Sequence, residues 1–225
     1  MKSNCPKVKV LYLIRHCQST GNVAHGTSYD PLLTNQGLQQ AIRLNLRYCK
    51  SLKIDKLISS PLRRCIQTAH VAFNGMDCPF ELDPIWREIG WRKDSTIDCI
   101  GSPSVATFAE VALSCQHPRL DIQNIRENID TGVEHLWEPY KEMQPGYMNE
   151  AYRQHLSAKI SAEAFISLFK RKERTFAVVT HYCTIESLIR RRASNGSMFC
   201  IHLKLRDEVN IDAGCEILSI NEVCN

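Results

Sequence analysis

The chain predicts an α/β fold of three layers, in which a mainly parallel central sheet is flanked by helices, with an additional cap or insertion region. Short apolar runs rich in β-branched residues alternate with amphipathic helical segments, and this alternation is typical of the α/β class. The length of 225 residues and the apolar fraction of 44% suit a single globular domain. We therefore expect one domain over residues 1–225, with 92–155 as its insertion or cap.

The predicted elements follow from the pattern of apolar residues along the chain. Strands are expected at 7–14, 56–59, 80–82, 176–180, 201–205 and 216–220. Helices are expected after Thr34, which can cap a helix that runs to about Tyr48, after Ser60-Pro61, over 159–172, and from about 183 to 192. The stretch from 19 to 32 is polar and is expected to be a loop.

Composition narrows the classes of function. The net charge of +4 suits an anionic small substrate, but it is too weak and too scattered to indicate a nucleic-acid partner. No stretch is long enough to predict a membrane span, and the start of the chain has no secretory apolar region. The 11 cysteines are odd in number and contain no Cys-x-x-Cys pair, which favours free thiols in a reducing compartment. We therefore expect a cytoplasmic protein without a membrane partner.

Two histidines follow two of the predicted buried strands. Arg15-His16 ends the first of these strands, and His181 ends the strand over 176–180. The carboxyl ends of parallel strands share one edge of a sheet, where ligands of open α/β sheets bind. We therefore expect His16 and His181 to lie close together. An arginine beside a histidine at such an edge suggests phosphate chemistry.

Further motifs stand in a fixed order along the chain. They are Arg15-His16-Cys17-Gln18-Ser19-Thr20-Gly21-Asn22, Leu33-Thr34-Asn35-Gln36-Gly37, Ser60-Pro61-Leu62-Arg63-Arg64-Cys65-Ile66-Gln67-Thr68-Ala69, Arg87-Glu88-Ile89-Gly90-Trp91 and Thr180-His181. Together they resemble the histidine phosphatase superfamily, the phosphoglycerate mutase-like clan, and in particular its phosphatase branch. The resemblance extends from residue 8 to about 190.

The resemblance implies a metal-independent hydrolase of phosphomonoesters. Arg15 and Arg64 match the two arginines that hold the phosphate dianion, and Asn22 completes the phosphate-binding set. His16 matches the nucleophile that becomes a phosphohistidine, and His181 matches the second catalytic histidine. Glu88 matches the acidic residue and is expected to be the general acid, and then the base for water. No cofactor and no metal are implied.

Alternatives remain for the acid and for the activity. If the alignment of the motif is shifted, the general acid is Glu81, Asp94 or Glu110 instead of Glu88. Arg63 is expected to be the exposed neighbour of Arg64. A phosphoglycerate-type mutase, or a catalytically weak sensor or interaction module for phosphorylated ligands, is the alternative function. The substrate is expected to be a small phosphate ester or a phosphopeptide that enters a pocket formed in part by 92–155. The oligomeric state is left open.

The chain departs from the family pattern at three places. Cys17 and Cys65 replace a glycine and an alanine, and Tyr182-Cys183 replaces a pair of glycines after the second histidine. Tyr182 is expected to be strained if a positive φ is required there, and it could narrow the pocket. We interpret the cysteines as small buried substitutes. A redox-sensitive phosphatase, with thiol pKa values lowered by nearby positive charges, is the sharper hypothesis.

Overall fold

The structure is a computed structural model, and it describes residues 8–23, 31–60, 62–88, 162–207 and 210–224. The strands are β1 (Val8–Arg15), β2 (Lys56–Ser59), β3 (Phe80–Leu82), β4 (Thr175–Thr180), β5 (Met198–Leu205) and β6 (Cys215–Cys224). The helices are α1 (Thr20–Val23), α2 (Asn35–Arg47), α3 (Arg63–Ala72), α4 (162–169) and α5 (Tyr182–Ile189). The expected insertion at 92–155, with Asp94 and Glu110, lies outside the described residues.

Within these ranges, six strands form one sheet in the order β3-β2-β4-β1-β5-β6. Strands β3, β2, β4 and β1 are parallel to one another, and β5 and β6 run antiparallel at one side. The predicted mainly parallel α/β sheet is therefore confirmed. Its four parallel strands all end at the same edge, which positions the residues that follow them next to each other.

Alternation along the strands divides the core into two layers. One face of the sheet carries Leu11, Leu13, Phe176 and Val178 against α4 and α5, and the other carries Ile14, Ala177 and Val179 against α2 and α3. Because successive side chains of a strand point to opposite faces, the continuous apolar runs feed both layers. Helices on both faces therefore bury most of β4 and the apolar centre of β1, whereas the edge strand β3 is only half-buried.

Local signals explain where the helices begin and end. The Thr34 hydroxyl accepts a hydrogen bond from the Gly37 N–H at 3.0 Å and caps α2, as its sequence position predicts. Helix α5 ends at Ile189, because Arg190 adopts a left-handed conformation with φ of 54°. The expected helix to residue 192 is therefore too long. The expected loop after Ser19 contains the short helix α1, and 24–30 lie outside the described residues.

A buried lysine fastens the end of α4 to the sheet. Lys9 on β1 has no exposed surface, and its ammonium donates to the carbonyls of Leu168, Arg171 and Glu173 at 2.8, 2.5 and 2.8 Å. It also lies 5.5 Å from the ring centroid of Phe169. Carbonyls at the carboxyl end of a helix lack helical partners, so the ammonium adds a charged donor there. The Leu168 carbonyl also accepts a hydrogen bond from the Arg171 N–H at 3.2 Å.

A basic residue just after α4 is paired with acidic residues near β3. Arg171 forms ion pairs with Glu81 at 2.6 Å and with Asp83 at 3.1 Å. These contacts join the end of α4 to β3 and the residue that follows it. Among the described helices, none is long and apolar enough to cross a membrane.

Candidate active site

The edge of the sheet brings the two histidines together. The His16 N–H donates to the Thr180 carbonyl at 2.9 Å, so His16 and His181 follow directly paired positions of β1 and β4. Their rings meet edge to face with centroids 5.2 Å apart, and both residues are buried. The expected proximity of these two residues, which are distant in the chain, is confirmed. Ser60 lies beside them, because it follows β2 and its N–H donates to the Val179 carbonyl at 2.9 Å.

Hydrogen bonds to His16 assign its tautomer. Its Nδ1 lies 2.7 Å from the Cys17 carbonyl, which can only accept, so Nδ1 carries the proton. The Arg64 Nε donates to the His16 Nε2 at 3.3 Å, so Nε2 presents a lone pair. Burial, followed by the positive charges of Arg64 and Arg15, holds the pKa of His16 well below its ordinary value. His16 is therefore a neutral imidazole whose Nε2 is the available nucleophilic atom.

His181 is held among polar groups at the bottom of the site. Its Nε2 lies 2.7 Å from the Ser60 Oγ and 3.3 Å from the Cys65 Sγ, and its Nδ1 lies 4.0 Å from the Glu88 Oε2. Burial, followed by the positive charges of Arg64 and Arg15, holds the pKa of His181 well below its ordinary value. These surroundings therefore favour neutral His181.

Arg15 and Arg64 converge on the histidines from two elements. Arg64 stands in the first turn of α3 and is 3% exposed. Arg63 was expected to be exposed, but it is partly buried and its Nε is fully so. Arg15 ends β1, donates to the Ala193 carbonyl at 2.7 Å and lies with its guanidinium 5.2 Å from the centroid of the Tyr182 ring. Its Nε is buried and has no hydrogen-bond partner among the described residues. The site therefore concentrates two positive charges beside His16.

Glu88 reaches the same place from the segment after β3. The 3₁₀ turn Pro84–Trp86 and the residues after it are tied to the sheet edge, because the hydroxyl of Thr180 donates to the Trp86 carbonyl and that of Thr184 to the Arg87 carbonyl. The Cys183 N–H at the start of α5 donates to the Glu88 Oε1 at 3.0 Å. These contacts fix the carboxyl group within 4.0 Å of His181.

The pKa of Glu88 suits a general acid. Burial raises it above the ordinary value, although Arg64, Arg15 and backbone N–H groups of α5 act in the opposite direction. Glu81, one of the alternative acids, is paired with Lys56 and Arg171 on the edge strand β3. Burial alone would raise the pKa of Glu81, but its hydrogen bonds to Arg171 and Lys56 hold it below the ordinary value. The chemistry of this position therefore favours Glu88 over Glu81.

Asn22 braces the loop that carries His16. Its Oδ1 accepts hydrogen bonds from the Ser19 N–H at 2.9 Å, the Ser19 Oγ at 3.0 Å and the Asn195 Nδ2 at 3.1 Å. Asn195 also donates to the His16 carbonyl at 3.1 Å. The oxygen of Asn22 therefore supports the loop, and direct binding of phosphate by its amide nitrogen stays a prediction.

The three departures from the family pattern fit the structure without strain. Tyr182 does not have a positive φ, because the single such non-glycine residue in the described ranges is Arg190. The expected strain is therefore absent, and Tyr182 begins α5 with its ring against Arg15. Cys17 and Cys65 are both fully buried. Burial raises the pKa of the Cys17 thiol to about 12, which is opposite to the lowering expected for a redox-sensitive thiol.

Sequence reasoning missed the positioning roles of Ser60, Thr68 and Asn195. The Thr68 hydroxyl accepts a hydrogen bond from the Cys17 N–H at 3.0 Å and donates to the Arg64 carbonyl at 2.7 Å. It therefore links helix α3 to the residue that follows His16. Ser60 and Thr68 stand inside a quoted motif, and the position of Ser60 directly after β2 was the signal that could have identified it. Asn195 stands in no motif, so only the folded chain shows its contact with His16.

Comparison with known proteins agrees with this geometry. A family model described as the histidine phosphatase superfamily (branch 1) matches residues 11–97. A 5''-phosphoribostamycin phosphatase of Niallia circulans is 32% identical over 149 residues, which cover 63% of this chain and 68% of that protein. The chain belongs to the histidine phosphatase superfamily. Within this superfamily, a phosphoglycerate mutase-like protein of Arabidopsis thaliana is 26% identical across 95% of this chain and 84% of its own length.

A solved structure has a similar fold. The crystal structure of a phosphoserine phosphatase mutant of Entamoeba histolytica, in complex with phosphoserine, superposes with a TM-score of 0.52 at 18% identity. The superposition covers 94% of this chain and 96% of the other. The family and the fold together support a phosphatase or mutase-like enzyme. Among the described residues of our protein, no group of three or more His, Cys, Asp or Glu residues is placed to hold a metal ion.

Proposed function

We propose that this protein hydrolyses phosphomonoesters, without a metal ion, through a phosphohistidine formed on His16. The observation that carries the proposal is the assigned tautomer, in which Nδ1 of His16 donates to the Cys17 carbonyl and Nε2 accepts from Arg64. This arrangement leaves a neutral nitrogen nucleophile beside two guanidinium groups. A phosphate dianion needs such neutralisation before a nucleophile can approach phosphorus.

The substrate phosphate would be held by Arg15, Arg64 and His181. Arginine binds phosphate through paired N–H donors, and the buried Nε of Arg15 is one donor that the described residues leave unsatisfied. The protein groups around His181 favour its neutral form, but a nearby dianion favours the protonated form and raises its pKa again. We propose that His181 enters catalysis as a positive donor only when the substrate is bound.

Phosphoryl transfer then proceeds in two steps, formation of the phosphohistidine and its hydrolysis. The His16 Nε2 forms a bond to phosphorus as the ester P–O bond breaks, and the leaving oxygen takes the proton of Glu88. Water then attacks the phosphohistidine, the P–N bond breaks, and Glu88 takes one proton from the water. The raised pKa of Glu88 supports this role, because it holds a larger protonated fraction than an exposed glutamate does at the same pH.

We propose that residues 92–155 complete the substrate pocket as a cap. Glu88 ends a described range, and the chain enters the segment 89–161 directly from the site. The similar proteins named above include a 5''-phosphoribostamycin phosphatase and a phosphoserine phosphatase mutant in complex with phosphoserine. Small phosphorylated metabolites and phosphopeptides are therefore the substrate classes to screen.

The first experiment measures hydrolysis of p-nitrophenyl phosphate with excess chelator in the native protein, His16→Ala and His202→Ala. His202 lies on β5 with its Nδ1 2.9 Å from the Ser219 Oγ, so its substitution removes a histidine outside the site. Chelator-resistant turnover that only His16→Ala abolishes is the expected result. Turnover that survives in His16→Ala would exclude this nucleophile.

Trapping of the phosphoenzyme separates the alternatives. A burst of acid-labile, base-stable phosphate on the native chain, absent in His16→Ala, is expected if the phosphohistidine forms. A mutase would retain this intermediate, but it would require a bisphosphate primer and return the phosphate to its product rather than to water. A sensor module would bind phosphorylated ligands without forming any phosphoenzyme.

A further inference from the structure

A basic groove lies outside the catalytic residues. It has a volume of about 640 Å³ and is formed by α2, the segment 194–196 and the end of β6. Arg43 and Arg47 line it from α2, with Gln40 and Tyr48 beside them. None of the proposed catalytic or phosphate-binding residues lines this groove.

Two arginines make the groove positively charged. Arg43 and Arg47 are four residues apart on α2, so their side chains stand on one face of the helix about 5–6 Å apart at Cβ. Both are exposed, and neither forms a hydrogen bond or an ion pair with the described residues. Among those residues, no aspartate or glutamate lines the groove. Two unengaged guanidinium groups on one wall favour a ligand that carries at least two negative charges.

The same groove touches the loop that carries the nucleophile. Asn195 in its wall donates to the His16 carbonyl at 3.1 Å, and the Gly196 N–H donates to the Arg15 carbonyl at 3.2 Å. On the opposite wall, the Gln40 Oε1 accepts a hydrogen bond from the Gln18 N–H at 2.8 Å. Both walls are therefore hydrogen-bonded to backbone groups of residues 15–18.

We propose that this groove is a second binding site, for a compact polyanion such as a molecule with a diphosphate group, and that occupancy stabilises the nucleophile loop. A ligand held between Arg43, Arg47 and the 194–196 segment clamps α2 against that segment. It thereby reinforces the contacts of Asn195 and Gln40 with residues 15–18. The ligand of this site is chemically different from the monoester that the catalytic site would hydrolyse.

Calorimetric titration with pyrophosphate tests the site without any measurement of activity. The comparison is between the native protein, the double variant Arg43→Ala/Arg47→Ala and the control Lys50→Ala/Lys53→Ala. The control removes the same charge from exposed residues just beyond α2 that do not line the groove. We expect one pyrophosphate-binding event to weaken by about tenfold or more in the arginine variant and to be retained in the lysine control.

Two results would overturn the site. One is identical pyrophosphate binding in the native protein and the arginine variant, and the other is equal weakening in the lysine control, which indicates general attraction by charge. This measurement is independent of the proposed hydrolysis, because loss of the groove site is detected even in a chain that turns over no substrate.

Steady-state kinetics tests the link to the nucleophile loop. Pyrophosphate that enters only the catalytic site raises the KM for p-nitrophenyl phosphate and leaves kcat unchanged. Occupancy of the groove is expected to raise kcat in the native protein and in the lysine control, but not in the arginine variant. Purely competitive inhibition in all three proteins would overturn the link.

Discussion

At the scale of single residues, burial and charge divide the work between His16 and Glu88. Both are desolvated beside Arg15 and Arg64, but desolvation has opposite consequences for a base and an acid. It lowers the pKa of His16 and so favours a neutral nucleophile, and it raises the pKa of Glu88 and so increases the protonated fraction of the acid. One environment therefore prepares both partners of the proposed reaction.

The loss of activity caused by replacing Glu88 with glutamine should depend on the leaving group of the substrate. Glu88→Gln removes the proton donor while the shape of the side chain is kept, so kcat for an alkyl phosphate should fall by about 10²-fold or more. Formation of the phosphoenzyme from p-nitrophenyl phosphate should fall much less, because p-nitrophenolate leaves without protonation. Rapid-quench kinetics with both substrates measures the difference. Glu81→Gln is the matched control, since Glu81 is paired with Lys56 and Arg171 away from the histidines.

The pH profile gives the same prediction an independent check. Activity should decline as the pH rises through the raised pKa of Glu88, because the acid loses its proton. It should also decline as the pH falls through the lowered pKa of His16, because the nucleophile becomes protonated. If Glu88→Gln retains the alkaline limb of the alkyl phosphate profile, another group is the acid.

Ser60 is expected to position His181. Its Oγ lies 2.7 Å from the His181 Nε2, so Ser60→Ala should lower kcat by roughly tenfold or less, the value of one buried hydrogen bond. The NMR titration of His181 should shift in the same variant, which a merely structural role would not produce. Ser59→Ala is the control, because the buried Ser59 hydroxyl donates to the Ser60 carbonyl and not to His181. Equal effects of the two substitutions would contradict the assignment.

At the scale of elements, the strands bring the site residues together and close contacts hold the loops in place. A Cβ on Gly37 in the first turn of α2 would lie 2.0 Å from the Gln18 carbonyl oxygen. A glycine is therefore required for α2 to approach the nucleophile loop so closely. The same turn is capped by Thr34, whose N–H donates to the Gln18 carbonyl at 3.0 Å. Helix α2 is thus a support of the site as well as a layer of the core.

Lys9→Met should destabilise the fold although Lys9 lies far from any proposed chemistry. The substitution keeps much of the side-chain volume but leaves the three carbonyl acceptors at the end of α4 without their charged donor. We expect the free energy of unfolding to fall by about 2–4 kcal/mol, as measured by urea denaturation. Lys204→Met is the control, since Lys204 forms only an exposed 3.8 Å pair with Glu216 and its loss should cost about 0.5 kcal/mol or less. Equal unfolding midpoints for the two variants would refute the argument.

At the scale of the whole molecule, the described cysteines differ in how deeply they are buried, and deep burial disfavours the reactive thiolate form. Cys17, Cys49 and Cys65 are fully buried in the described structure, and burial raises the pKa of both Cys17 and Cys49 to about 12. Thiolate is the reactive form of cysteine, so these positions are poor targets for oxidants and alkylating reagents. The structure therefore favours the interpretation of Cys17 and Cys65 as small buried substitutes.

Alkylation of the native protein should reflect this distribution. Treatment with iodoacetamide near neutral pH, read by peptide mass spectrometry, should leave Cys17, Cys49 and Cys65 unmodified until the protein is unfolded. Partly buried Cys183 is the internal comparison and should react earlier. Rapid modification of Cys17 in parallel with loss of activity would restore the redox-sensitive hypothesis.

Regular patterns in the sequence were sufficient to predict most strands of the sheet and part of the candidate site. Strands β2 and β3 have the predicted limits, because short apolar runs bounded by polar residues have few alternative conformations. The meeting of His16 with His181 followed from the rule that parallel strands share an edge. The end of α5 was not predicted, because the left-handed position that ends this helix is occupied by Arg190 and not by glycine, the usual sequence signal.

The sequence by itself determined the α/β class, the order of the motifs and the proximity of the two histidines. These depend on local patterns: strand periodicity, strand ends and motif spacing. Only the tertiary structure decided the protonation of His16, the raised pKa of the Cys17 thiol, the pairing of Arg171 and the groove beside α2. The physical reason is that burial, electrostatic fields and cavities are properties of groups far apart in the chain, and they exist only after folding has brought those groups together.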